Sequence, residues 1–207
     1  DLPTLLSPAA ENYIEILAQK SHELTKQRFG KNIQLFIPLY LSNECYNRCT
    51  YCNFSVDLNY KRKVLTDSEI INEAKIIKQK GFNQILILTG EAPRKVGLNY
   101  INNAITLLNP YFDSIGIEVQ PMAYNDYIKI IKAGADKLTL YQETYHHETY
   151  LKHHLSGKKR NFKNRIDAVE DAAKAGFHHI NIGALLGLYD WRYDCLALAE
   201  HLNYLQK

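Results

Sequence analysis

Short apolar runs alternate with helix-period segments along most of this chain. The clearest run, Ile85-Leu86-Ile87-Leu88, has the length of a buried strand. Three stretches repeat one plan: "KQKGFNQILILTG" (78–90), "IKAGADKLTLYQE" (131–143) and "AKAGFHHINIGAL" (173–185). Each closes a helical pattern with a basic residue and a Gly, the residue that caps a helix in the left-handed conformation. Each then enters an apolar run that suits a buried parallel strand. Two more strands are predicted at 35–41 and 115–120, and amphipathic helices at 66–80, 98–109, 123–133, 161–175 and 191–206. Thr66 followed by Glu69 is a capping-box start, and Pro8 stands in the first turn of a further N-terminal helix over 8–28.

Strand and helix alternating five times predict an α/β fold with right-handed crossovers. The repeat length suits a partial parallel (β/α) TIM-like barrel, truncated after about five units; a doubly wound open sheet is the alternative. Residues 1–32 form an N-terminal helical extension in this reading, and 33–207 the core. In either architecture functional residues collect just past the strand C-termini. The unusual stretches fall there: a cysteine-rich loop after the first strand, Thr89-Gly90-Glu91 after the second, Gln142-Glu143-Thr144 after the fourth and residues 183–187 at the fifth.

Composition narrows the function classes. A net charge of +3 over 207 residues provides no basic face for nucleic acid, and no apolar run reaches the length of a membrane span. Neither nucleic acid nor membrane is expected as a partner. Of the basic clusters, Lys61-Arg62-Lys63 and Lys158-Lys159-Arg160, the first reads as a solvated turn. No signal-peptide pattern is present, which predicts a cytoplasmic protein with reduced thiols. The chain begins at Asp1 without Met and stops at Lys207 inside a helical pattern, so it reads as a piece of a longer protein.

"SNECYNRCTYCNFS" (42–55) puts Cys45, Cys49 and Cys52 in one loop, spaced C-x3-C-x2-C. Structural zinc takes four ligands, usually as two separated pairs, and no second pair exists here. Cys195, the fourth cysteine, sits in a helical pattern beside Leu196 and Leu198 and reads as a small buried hydrophobe. The pairs His146-His147, His153-His154 and His178-His179 are adjacent in sequence, so their side chains point apart and do not chelate together. Three thiolates without a fourth suit a cubane iron–sulfur cluster with one iron open to a small molecule.

The C-x3-C-x2-C loop after the first barrel strand, with Tyr51 before the last cysteine, resembles the radical S-adenosylmethionine (SAM) superfamily. The stretches "LTGE", "KVGLNY", "EVQPM", "YQETYHHETY" and "IGALLGLYDWRYDCLALAEHLNYLQ" resemble, within it, the tyrosine lyases of the 2-iminoacetate synthase family. That resemblance implies a [4Fe-4S] cluster held by Cys45, Cys49 and Cys52, and SAM as second cofactor. It implies that Tyr51 flanks the adenine and that Gly90 and Glu91 accept the methionine ammonium. Glu143 would take the ribose hydroxyls, Lys159 or Arg165 the methionine carboxylate, and Ala184 to Leu186 the adenine edge. His146, in the Tyr- and His-rich stretch, is left as a barrel cap.

The reaction the family implies is radical cleavage of L-tyrosine between Cα and Cβ. It gives 4-cresol and 2-iminoacetate (dehydroglycine), the latter for the thiazole of thiamine. Thiazole synthase and an electron donor of flavodoxin or ferredoxin type are the implied partners. The superfamily barrel has six strand–helix units and this chain supplies five, so the tyrosine contacts are expected beyond residue 207. Two other readings stay open. One is a hydrogenase-maturation tyrosine lyase or related aromatic amino-acid lyase; the other is a non-catalytic iron–sulfur or zinc-binding protein.

Overall fold

Strand and helix alternate through residues 36–207, and five strands pair in parallel as the apolar runs predict. The computed structural model describes residues 1–207 as two units, 1–35 and 36–207. The second unit thus starts at Phe36 rather than 33, and the preceding Ile33 and Leu35 are exposed.

The first unit is broken into three pieces: α1 (Leu2–Leu6), a 3-10 turn (Pro8–Tyr13) and α2 (Ile14–Phe29). Asp1 caps α1 by accepting from the Thr4 amide. Ser7 is extended because it precedes Pro8, which disfavours a helical residue before it. The single helix expected over 8–28 therefore begins, as a full α-helix, only at Ile14, and none of these three elements buries a residue.

The second unit contains β1 (Ile37–Ser42), β2 (Arg48–Cys49), α3 (Asp67–Gln79), β3 (Gln84–Thr89), α4 (Leu98–Leu108), β4 (Ser114–Glu118), α5 (Tyr124–Ala133) and β5 (Lys137–Thr139). It continues with α6 (His147–His153), β6 (His154–Ser156), α7 (Phe162–Ala175), β7 (His179–Asn181) and α8 (Trp191–Leu205). One parallel sheet runs in the order β1-β3-β4-β5-β7. Positive φ at Gly81, Gly134 and Gly176 supplies the three left-handed turns out of the helices. The capping box at Thr66 and Glu69 forms in full.

Along β3, Ile85 and Ile87 are buried while Leu86 and Leu88 are only half-buried. The first pair packs with Ile115 and Ile117 of β4 against the helices, in a core that includes Ile70, Ile101 and Tyr127. The second pair looks into the barrel lumen. The expected uniform burial of these runs is thus an alternation.

Two features were not read from the sequence. Residues 145–160 hold α6 and a short antiparallel ladder, β6 on β2, that pairs Arg48 with Ser156 and Cys49 with His154. Strands of two or three residues carry no periodic signal. The fifth parallel strand is also shorter than its apolar run: past Asn181 the pairing continues through the Gln142 amide on Gly183 O, 3.0 Å, a Glu143–Ala184 bridge and the Leu185 amide on Glu143 O, 2.7 Å.

Candidate functional site

The cysteine loop is shaped by side chains outside the motif. Arg62 donates to four backbone carbonyls: Asn43 at 2.7 Å, Phe54 at 3.1 Å, Ser55 at 2.7 Å and Leu58 at 3.0 Å. Carbonyls turned inward by a tight loop need donors, and a guanidinium supplies several in one plane. Arg62 is therefore no solvated turn residue, while Lys61 and Lys63 beside it are exposed.

Asn47, between the first two cysteines and 2% exposed, ties three segments together. Its Nδ2 donates to Glu91 Oε2 at 2.8 Å, its Oδ1 accepts from the Lys159 amide at 3.0 Å, and its carbonyl accepts from the Val56 amide at 3.0 Å. Gly90 is required by close approach: a Cβ there would lie 2.3 Å from Glu44 O and 2.9 Å from Cys45 Cβ. The end of β3 thus presses directly against the loop, which also lets the Tyr46 amide donate to Glu91 O at 3.0 Å.

Cys45, Cys49 and Cys52 open on one cavity of about 780 Å3, which Tyr51, Gly90, Glu91, Glu143, Lys159 and Arg165 also line. Ala184 and Leu186 do not line it; Leu185 does, and Leu186 is 67% exposed. The pairing slips by one position between Thr139–Asn181 and Glu143–Ala184, and of the stretch Ala184 to Leu186 it is Leu185 that faces inward.

Two acids and two bases of the cavity are paired with one another, Glu91 and Glu143 with Arg165 and Lys159. Arg165, 7% exposed, donates from Nη1 to Glu91 Oε1 at 2.8 Å and from Nε to Tyr141 O at 2.6 Å, with Nη2 at 3.8 Å from Glu143. Lys159 Nζ donates to Glu143 Oε1 at 2.7 Å. Burial works against the Arg165 charge, but Glu91 and Glu143 outweigh it and hold its pKa above the ordinary value. Glu143 carries φ 74, the left-handed region, which aims its carboxylate across the rim.

Tyr51 is fixed from behind. Its hydroxyl lies 2.7 Å from His154 Nε2, and His154 Nδ1 lies 2.7 Å from Tyr150 O. A carbonyl only accepts, so Nδ1 carries the proton and Nε2 accepts from the Tyr51 hydroxyl. His154 is fully buried, and desolvation, helped by the Lys159 charge, pulls its pKa down to about 4. Lys159 Nζ stands 5.7 Å from the Tyr51 ring centroid. His146 caps α6 by accepting from the Thr149 amide and stacks on Tyr189 at 3.8 Å, outside the cavity lining.

The residues fit an iron–sulfur cluster. The donors are three soft thiols on one wall, and neither Cys195 nor any histidine lines the cavity. Structural zinc takes four protein ligands, and the cavity wall offers three thiols and no histidine. Burial pushes the Cys49 thiol up to about 12 against the pull of Lys159, so its thiolate calls for a metal's charge beside it.

Asn47, Arg62, His154 and a further carboxylate in the cavity, Glu118, escaped the sequence reading. Their one shared signal is a polar residue within or beside a motif, which no spacing rule separates from a surface residue.

A sequence model of the radical SAM superfamily matches residues 39–199. Over 208 aligned positions the chain is 45% identical to the 2-iminoacetate synthase of Escherichia coli (strain K12), covering 100% of this chain and 55% of that protein. The 2-iminoacetate synthase of Salmonella typhimurium is 44% identical over the same shares. The chain thus spans about half the length of these curated relatives. Among solved structures, the FeFe-hydrogenase maturase HydG from Carboxydothermus hydrogenoformans superposes with a TM-score of 0.88 at 36% identity, over 93% of this chain and 46% of that one. Methylornithine synthase (PylB) superposes at 0.86 with 26% identity, over 99% and 60%.

Proposed function

This chain belongs to the radical SAM superfamily, and from that premise we propose that the protein carrying it is a carbon–carbon lyase acting on L-tyrosine. Its products are 4-cresol and 2-iminoacetate, the latter passed to thiazole synthase. The observation that carries this reading is 45% identity to a 2-iminoacetate synthase across the whole chain. The gathering of Cys45, Cys49, Cys52, Tyr51, Glu91, Glu143, Lys159 and Arg165 on one cavity supports it.

Cys45, Cys49 and Cys52 would hold a [4Fe-4S] cluster, and with SAM bound beside it the pair would supply one-electron radical chemistry in the cavity. The chain's own residues position the reactants. Tyr51, locked by His154, presents its ring to the adenine. Glu143 offers the ribose hydroxyls the oxygen that Lys159 leaves open, since that ammonium engages Oε1. Arg165 holds Glu91 beside Gly90 at the end of β3, where a cationic amine meets matched charge. Lys159 and Arg165 are the largely buried cations that would meet a carboxylate in the cavity. An electron donor of flavodoxin or ferredoxin type and a cytoplasmic setting complete the reading; no helix is long and apolar enough to cross a membrane.

The structural likeness to HydG supports one second reading, a hydrogenase-maturation tyrosine lyase. The test uses the full-length protein, reconstituted without oxygen, reduced and given SAM and tyrosine. Both 5′-deoxyadenosine and 4-cresol are expected. Deoxyadenosine without cresol would remove the substrate and keep the chemistry. Cys49→Ala should abolish both products, and survival of either refutes its role as ligand. A second cluster in the full-length protein would favour the maturation reading.

A further inference from the structure

Glu118 closes β4 on the lumen side of the sheet, level with Leu88 in the ladder, and lines the cavity between the strands that lead to Glu91 and Glu143. No hydrogen bond engages its carboxylate, and Lys159 and Arg165 act on it only as more distant charges. The three cations of the cavity are already engaged, Arg165 by Glu91, Lys159 by Glu143 and Lys63 by Glu69. A half-buried carboxylate without a partner is costly and calls for a ligand that completes it. Burial first, and the Glu143 charge after it, push the Glu118 carboxyl above the usual carboxylate range.

What surrounds Glu118 limits the ligand. Tyr40, Leu88, Val119 and Tyr141 give the cavity apolar and aromatic wall on either side of it. A lone carboxylate on such a wall suits an amine attached to an apolar body. With Glu91 and Glu143 assigned to SAM, Glu118 is the one carboxylate of the cavity left for the substrate.

We propose that Glu118 receives the ammonium group of an aromatic amino-acid substrate whose ring lies against these walls. The assignment rests on the tyrosine-lyase reading above. It makes Glu118 a substrate-binding residue that tells an amino acid from the corresponding acid lacking the amine. The pair is electrostatic and reversible, and the ligand cation restores the charge balance that burial and Glu143 disturb.

The experiment compares wild type with Glu118→Gln and Glu118→Ala in the reconstituted full-length protein. Three quantities are read: KM for tyrosine, the inhibition constant of 3-(4-hydroxyphenyl)propionate, which lacks the amine, and SAM affinity from the change in the cluster EPR signal. Both variants should raise the tyrosine KM by about tenfold to a hundredfold, the worth of one charge-assisted hydrogen bond. The inhibition constant and the SAM titration should not move, and the melting temperature should not fall, because no protein partner is lost. An unchanged tyrosine KM, an equal loss on both compounds, weakened SAM binding or a lowered melting temperature overturns the assignment while the lyase reading stands. Wild type that makes no 4-cresol overturns both.

Discussion

Replacing Arg165 with Met would remove the one cation held between Glu91 and Glu143. The side chains involved are almost closed to solvent, 8% exposed for Arg165 and 11% for each acid. The variant strips Glu91 of a 2.8 Å charged hydrogen bond and leaves the Tyr141 carbonyl without the donor 2.6 Å away. Breaking a buried pair from one side costs about 3–5 kcal/mol, because the surviving charge stays desolvated. In a protein of this size each kcal/mol moves Tm by about 2–4 °C, so the loss should be roughly 6–20 °C. Adding Glu91→Gln should recover part of it, since the stranded charge is then gone. Thermal melts by circular dichroism on the two single variants, the double variant and wild type give the coupling. Lys163→Ala is the control: Lys163 is paired with Asp167 on an 83%-exposed side chain and should leave Tm within error. A Tm for Arg165→Met within 2–3 °C of wild type, or no recovery in the double variant, would refute the view that this pair is a closed electrostatic unit.

Three further outcomes are expected. Arg62→Ala should lower iron bound per chain after reconstitution more than it lowers Tm, because four loop carbonyls lose their donor while the sheet is untouched; parallel loss of both would refute a local role. Gly90→Ala should abolish SAM binding and reduce cluster incorporation, since its Cβ would sit 2.3 Å from the Glu44 carbonyl; wild-type titrations would show that the β3 end does not press on the loop. His154, with a folded pKa of about 4 against an ordinary 6.5, binds its proton more readily in the unfolded chain. Stability should therefore be level above about pH 6.5 and fall as pH drops toward about 4, by on the order of 3 kcal/mol, and His154→Gln should flatten that slope in urea melts at stepped pH.

Much of the architecture was readable along the chain. Apolar runs, basic-plus-Gly helix ends and the Thr66 capping box are local signals, and the elements they predicted form within a few residues of the expected bounds. That the three cysteines, Glu91 and Glu143 share one cavity was legible because each stands just past a predicted strand, where parallel sheets present side chains to a ligand. The 145–160 segment was not legible: β2 and β6 are two and three residues long, and pairing Cys49 with His154 depends on residues over a hundred positions apart.

Sequence alone determined the alternation of strand and helix and the rim on which the candidate residues stand, because both follow from periodicity and from the rule that functional loops follow parallel strands. Tertiary structure alone decided how those residues meet. Arg165 lies between two acids from different loops, Asn47 binds Glu91 and Lys159 at once, and Glu118 is left without a partner. The reason is electrostatic. Whether a charge is paired or alone depends on distance and burial in three dimensions, and neither quantity is a property of neighbouring positions in a chain.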